Sequence, residues 1–353
     1  MASRMLPLFS LLTLLAIQTG LPGAAPTDRR CTVTDKSKAG PDFAVQGEYI
    51  GVVVNENVEK KVGLQVIALG SAKFRGVIHW GGLPDAGWDG EEKGTVTGQR
   101  KNSSTVLRGN EQAWTITGGS IIVSNAAAQV IGQLKRIERV SPTMGAKPTA
   151  DAKVLFDGSN AEHFVRGRVT KDKLLQVGTI TKMLVHDFHL HLEFRTPYMP
   201  NARGQGRGNS GVYIQKRYEV QILDSFGLKG VHNECGGLYR QRKPDLNMCL
   251  PPLTWQTYDI DFKAARWEGD QKVANARLTV RHNGVLIHDN VEVPNKTGAG
   301  DKESPKPGPI RLQNHSNPVH FRNIWIVEKK PEEEAGCKRR CGLLRRLFRR
   351  CRR

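Results

Sequence analysis

The chain has 353 residues, a formal charge of +19 and six cysteines. That length points to two domains rather than one, and six cysteines are too few for a disulfide-scaffold protein. No nucleic-acid motif accompanies the positive charge, which points instead towards acidic surface polymers.

Residues 1–25 have the pattern of a targeting segment. Arg4 is followed by an apolar run from Met5 to Ile17, then by small residues at Gly20, Gly23, Ala24 and Ala25 that suit a signal peptidase. The run is shorter than the roughly 20 residues that span a bilayer, and no later segment reaches that length. Export to the periplasm, the cell surface or the medium is therefore expected. Asp28, Arg29 and Arg30 before Cys31 argue against a lipoprotein anchor.

Residues 26–140 carry short strands separated by Gly-rich turns, among them VQGEYIGVVV, KFRGVIHWGG and AWTITGGSIIVS. This pattern predicts a small all-β accessory domain. In GGLPDAGWDG, Trp88 could offer a platform to a sugar or simply close a small core. Ser141 to Ala152 is rich in Pro, Gly and Ala and reads as a linker.

Residues 153–330 return to strands, and their number and length predict a jelly roll of two antiparallel sheets. The most informative stretch is NSGVYIQKRYEVQILD, Asn209 to Asp224, which reads as a hairpin. Val212, Ile214, Val220 and Ile222 alternate towards a core. The opposite face carries Asn209, Tyr213, Gln215, Glu219 and Gln221, groups that hydrogen-bond sugar hydroxyls. Elsewhere Phe188, Leu190, Leu192 and Phe194 are expected to point inward, leaving His189, His191, Glu193 and Arg195 outside. Ile310, Leu312, Val319 and Phe321 likewise point inward, which leaves Gln313, His315, His320 and Arg322. A curved sheet would gather Asn209, Gln215, Glu219, Gln221, Gln313, His315 and Arg322 into one groove. The bland alternative is a polar face with charge pairs such as Glu219 with Arg322.

Glu219, Gln221 and Asp224 form E-x-Q-x-x-D, similar to the E-x-D-x-x-E signature of jelly-roll β-glucanases, in which a bulge aligns the outer acids. Retaining glycosidases need two carboxylates about 5 Å apart. Here the middle acid is an amide and the last is the shorter Asp224, which argues against ordinary retaining hydrolysis. Cys235 and Cys249 flank a Gly/Pro-rich loop and are expected to form a disulfide, the alternative being two free buried thiols.

The last segment, residues 331–353, is a basic tail. From Cys337 it carries nine Lys or Arg in 17 residues; taking these from +19 leaves +10 for the body. Leu343, Leu344, Leu347 and Phe348 would form an apolar stripe on a helix. The tail then suits contact with an anionic membrane or polymer, or is a solvated extension.

FDGSNAEHF, the EFR of Glu193 to Arg195, NSGVYIQ, YEVQILDSFG, CGGLY, PP-x-x-W-x-x-YDI, the HNGV of His282 to Val285 and LQNHSNPVHFRNIWI occur in this order. Together they resemble the 3-keto-disaccharide hydrolase domain family over roughly Lys153 to Glu328. The QGEYIG, GGLPDAGWDG and SPTMGAKP segments resemble a domain that accompanies it. The resemblance implies a concanavalin-A-like (laminin-G-like) jelly roll, a secreted enzyme and a glycoside oxidised at C3. The ketone acidifies the C2 proton, so a base can remove it, the C1 aglycone can leave, and water can add back. Such chemistry needs one base and an oxyanion holder.

Glu219 is the first candidate base, His315 the alternative or the proton donor, and Arg322 with Gln313 could hold the oxyanion. Asn209, Tyr213, Gln215, Gln221 and Asp224 would bind substrate. No cofactor is expected; a divalent ion on Asp224 or a His is conceivable, but no ligand spacing supports it. Two rival readings are a lectin-like module and a cell-surface interaction protein. A groove of amides, one acid and imidazole, without an aromatic platform, favours catalysis.

Overall fold

Antiparallel β-structure dominates the computed structural model, which describes residues 31–55, 58–91 and 93–329. The expected export segment, residues 1–25, and the basic tail, residues 331–353, lie outside the described residues. Eight strands close into a barrel: β1 Gly47–Asn55, β2 Val58–Ala68, β3 Lys73–Trp80, β4 Gly94–Lys101, β5 Ser104–Gly109, β6 Gln112–Thr117, β7 Ser120–Ser124 and β8 Val130–Ile137. Each pairs with the next, and β8 returns to β1 with Leu134 opposite Gly51. Closure removes the free edges that an open sheet of this size would expose.

Tyr49, Val53, Leu64, Phe74, Leu107 and Trp114 fill the barrel interior. So small a barrel bends its strands sharply, and glycine permits the closest approaches. A Cβ on Gly98 would lie 1.8 Å from the Val106 carbonyl oxygen. Outside the barrel, Trp88 packs edge-on against His79, with ring centroids 5.2 Å apart. The Lys93 Nζ sits 4.8 Å from the Trp88 ring.

The remaining strands are β9 Lys153–Phe156, β10 Phe164–Val165, β11 Leu175–Gln176, β12 Thr179–Thr181, β13 Asp187–Arg195, β14 Ser210–Ile214 and β15 Tyr218–Ile222. They continue with β16 Gln256–Lys263, β17 Arg266–Glu268, β18 Gln271–Ala274, β19 Ala276–His282, β20 Val285–Val293, β21 Arg311–Leu312 and β22 His320–Lys329. One sheet has the order β10-β12-β21-β14-β15. The other has β11-β22-β13-β16-β19-β20 with β9 also on β22, and β17 and β18 form a separate hairpin. The two larger sheets form the antiparallel sandwich that the strand pattern predicts.

Phe188, Leu190, Leu192 and Phe194 do face the core between the sheets, opposite Val212, Ile214, Val220 and Ile222. Truncating such a residue typically costs about 2–5 kcal/mol. The barrel is packed onto this unit. Ile67 and Val77 from its wall join the sandwich core, and Arg207 Nη1 donates to the Ala68 carbonyl at 3.2 Å.

The segment after β8 lies across the outer face of the seven-stranded sheet. Thr143 Oγ1 donates to Asp259 at 2.8 Å, and the Gly145 amide donates to Glu193 Oε1 at 2.7 Å. Asn323 and the Trp325 indole both donate to the Ala146 carbonyl. The stretch that reads as a linker is thus fastened by its polar groups.

Cys235 and Cys249 are free thiols, not the expected disulfide. Each sulfur has a polar neighbour in the core: Cys235 Sγ is 3.2 Å from the Tyr258 hydroxyl, and Cys249 Sγ is 3.5 Å from the Leu223 carbonyl. The loop between them is held without a staple. Gly236 N donates to Gln221 O, and Tyr239 N donates to Glu219 O, so it runs beside β15.

Candidate functional site

The site grows from the hairpin of β14 and β15. Gln215 and Lys216 both take left-handed φ values, 52° and 54°, in the three-residue turn that joins Ile214 to its partner Tyr218. This turn sets Tyr213 opposite Glu219 and Gly211 opposite Gln221. On the other side Tyr213 pairs with Arg311 of β21, and Gln313 N donates to the Gly211 carbonyl. Period two therefore puts Tyr213, Glu219, Gln221, Arg311 and Gln313 on one outer face.

Glu219 is buried there, only 3% exposed. Burial is the main influence on its carboxyl, pushing it up to about 7; the Tyr213 hydrogen bond and the Arg311 charge oppose this only in part. The Arg311 guanidinium lies 3.8 Å above the Tyr213 ring. Burial and the neighbouring Glu219 raise the Tyr213 phenol, which therefore stays a neutral donor. Gly211 makes room for the acid, because a Cβ there would sit 2.2 Å from Glu219 Oε1.

Amides surround this carboxyl. Gln205, from the turn Gly204–Gly206, accepts through Oε1 from Gln221 Nε2 at 3.0 Å and from Asn209 Nδ2 at 3.1 Å. Gln313 Nε2 lies 3.4 Å from the Tyr213 hydroxyl. Four buried atoms have no partner: Asn209 Oδ1, Gln221 Oε1, Gln313 Oε1 and Arg311 Nε. Unpartnered buried polar atoms are rare in folded proteins. Three acceptors and a cationic donor about one carboxyl suit a ligand rich in hydroxyls that also carries a carbonyl.

Not every expected residue joins this cluster. Gln215 belongs to the turn, where it donates to the Val185 carbonyl and accepts from Arg217 Nη1, each at 2.8 Å. Asp224 accepts from Arg207 Nε at 2.6 Å. That ion pair occupies the acid, so E-x-Q-x-x-D does not align two carboxylates. His315 stands exposed on the loop after β21, two residues beyond Gln313.

Arg322 is on the opposite outer face of the sandwich, bonded to Glu193 Oε2 at 2.5 Å and stacked 4.1 Å from the Trp255 ring. Alternation gives its outward direction but not the sheet to which it belongs. Arg311 takes the place expected for it. The same alternation marks Arg311, flanked by inward Ile310 and Leu312, whereas Gln205 lies in a loop with no periodic signal. Among the described residues, no three His, Cys, Asp or Glu side chains gather so as to hold a metal ion.

A structure described as a candidate glycosyl hydrolase from Parabacteroides distasonis is 33% identical to this chain, with 51% of this chain and 84% of that one covered and a TM-score of 0.46. Two more from the same organism, so described, are 17% and 21% identical, with TM-scores of 0.39 and 0.35. The first covers 51% of this chain and 94% of its own, the second 50% and 99%. No curated protein matches the chain. Residues 151–327, half of the chain, match the family described as the 3-keto-alpha-glucoside-1,2-lyase-like domain, and the protein belongs to that carbohydrate-active, glycosyl-hydrolase-like family.

Proposed function

We propose that the protein acts after export and cleaves the glycosidic bond of a 3-keto-glycoside by elimination followed by hydration, with Glu219 as the base. One observation carries this reading: a single buried carboxyl with its pKa near 7, ringed by unpartnered amide oxygens and one guanidinium. A base poised near the working pH is best suited to take a proton from carbon. A paired-carboxylate mechanism would need the second acid that Asp224 does not supply.

The Glu219 carboxylate takes the C2 proton, and the electron pair moves into the C3 carbonyl, whose oxygen becomes anionic. Arg311 Nε, a buried donor without a partner, faces this growing charge in a site that excludes water, where such a donor is worth most. Collapse of the enolate expels the C1 oxygen, leaving a C1–C2 double bond beside the ketone. The proton held by Glu219 passes to the departing oxygen. Water then adds at C1 and a proton returns to C2, so the net change is hydrolysis. Tyr213 holds the carboxylate by its hydroxyl, and Asn209, Gln221 and Gln313 accept from sugar hydroxyls.

The test is turnover of 3-keto-trehalose and 3-keto-lactose by the purified full chain, with the unoxidised sugars as controls. Release of free monosaccharide from the keto sugars alone is expected. Binding of either sugar without turnover would instead support the lectin-like reading.

A further inference from the structure

Near the Glu219 cluster lies a cleft of about 250 Å3, lined by Arg168, Gln176, Asn314, Ser316, Asn317 and His320, with Val177, Pro318 and Val319 behind them. It forms where the chain crosses twice between the sheets. Residues 175–181 leave the seven-stranded sheet as β11 and enter the five-stranded sheet as β12, while residues 311–320 make the reverse crossing from β21 to β22. The two crossings run side by side, with Gly178 N donating to the Leu312 carbonyl.

One wall is shared with the Glu219 cluster. Asn317 Oδ1 accepts from the Asn209 amide at 2.8 Å, and Asn209 belongs to the amide group around Gln205 and Gln221. A saccharide whose reacting unit lies over Glu219 therefore has this cleft next along the rim. Its volume is below the 300–1,000 Å3 of sites for drug-sized ligands, which leaves room for one further sugar.

The polar lining is one-sided in charge. Arg168 is exposed, and its side chain has no hydrogen-bond or ion-pair partner among the described residues. His320 sits opposite Arg195 in the register of β13 and β22. Arg195 Nη2 donates to the Thr34 carbonyl and its guanidinium stacks 4.9 Å from the Trp255 ring; the Asp172 carboxylate acts on both Arg195 and His320. No Asp or Glu lines the cleft.

We propose that this cleft is the aglycone subsite and that it selects an acidic sugar, one carrying a carboxylate or a sulfate ester. Arg168 contacts the anion, and Asn314, Ser316 and Gln176 serve the ring hydroxyls. This rests on the reading of Glu219 as the base, since it takes the reacting sugar to lie there. Charge-assisted hydrogen bonds from guanidinium are about twice as strong as neutral ones. Burial and the Arg195 charge, opposed only in part by Asp172, hold the His320 imidazole below its ordinary range, so a further anion seated beside it must move that titration upward.

The experiment measures binding to full-length Glu219→Gln, which retains ligand without turning it over. The probes are a glucosyl-glucuronate disaccharide and its neutral glucosyl-glucose counterpart, each oxidised at C3 of the glucosyl unit, with inorganic sulfate alone as a third arm. A preference of about tenfold or more for the acidic disaccharide is expected, with the His320 resonance titrating higher in its presence. Adding Arg168→Gln, checked for unchanged unfolding temperature, should abolish that preference. Equal affinity for the two disaccharides, or a preference that survives Arg168→Gln, overturns the subsite and leaves the base assignment standing. Failure of both disaccharides to bind overturns the two together. Sulfate binding that matches the acidic disaccharide marks an anion site without sugar selection and also overturns it.

Discussion

Glu193 and Glu219 are buried glutamates on opposite outer faces of one sandwich, and they have opposite electrostatics. Glu193 is 1% exposed. Burial disfavours its charge, yet hydrogen bonds from His191, Asn323, the Gly145 amide and Arg322 outweigh this and hold the carboxyl near 2. His191, also buried, is raised because its bonds to the Asp259 and Glu193 carboxylates overcome its desolvation. Glu219 has a similar depth but only Tyr213 and Arg311 to support its charge, and it stays near 7. Depth alone therefore does not make a reactive acid. The lesson lies in how many donors the fold supplies: the satisfied acid holds the structure together, and the undersupplied one is left able to move a proton.

The largest expected effect breaks this contrast at its reactive end. Glu219→Gln keeps shape but removes the proton acceptor, and turnover of 3-keto substrate should fall by roughly 10²–10⁴-fold. Near wild-type turnover from a folded variant would remove Glu219 as the base. Glu193→Gln is the converse. It leaves Arg322 without its buried counter-charge and His191 with Asp259 alone, and should destabilise the protein by about 3–5 kcal/mol in denaturant unfolding. A loss below about 1 kcal/mol would show that the cluster is a solvated surface network.

Gly211→Ala tests the contrast without replacing either glutamate. The new Cβ would lie 2.2 Å from Glu219 Oε1, so the acid must shift. A displacement of about 1 Å can cost on the order of 10²-fold in rate, and the loss should appear in kcat with little change in unfolding midpoint. Unaltered kcat would mean that the carboxyl moves freely.

The smallest effect is a matter of pH. Because the folded Glu219 carboxyl lies above its ordinary value, the unfolded chain loses that proton first, and stability should fall as pH rises from about 4.5 to 7. The full change is about 3 kcal/mol, and Glu219→Gln should abolish that slope. Glu193 has the reverse sign: its contribution is complete above its ordinary pKa and is lost as pH falls towards 2. Over the same upper window kcat/KM should rise through pH 7 as the base ionises. A flat profile there would contradict the assignment.

Much of this was legible in the sequence, since alternation is a local property. It gives the hairpin, the inward set from Phe188 to Phe194 and the outward set with Tyr213, Glu219, Gln221 and Gln313. The sequence pattern does not say which outward faces share a sheet, and so it puts Arg322 beside Glu219 although a hydrophobic core separates them. Arg311 satisfies the same rule of alternation. Gln215 and Asp224 depart for another reason: one sits in the turn that fixes the register, and the other finds Arg207, 17 residues earlier in the chain. Gln205 and the docked segment depend on three-dimensional neighbours that no period encodes.

That docked segment has an evolutionary corollary. Linkers commonly tolerate insertions because their backbone groups face water. Here the amide of Gly145 and the carbonyl of Ala146 are bonded to Glu193, Asn323 and Trp325 at fixed positions on the sheet. One residue added between Ser141 and Ala146 would slide these groups out of phase and strand a buried carboxylate. Length variation should therefore be purged from this short stretch as strictly as from a core strand, while the exposed residues beyond it, up to Asp151, remain free to drift.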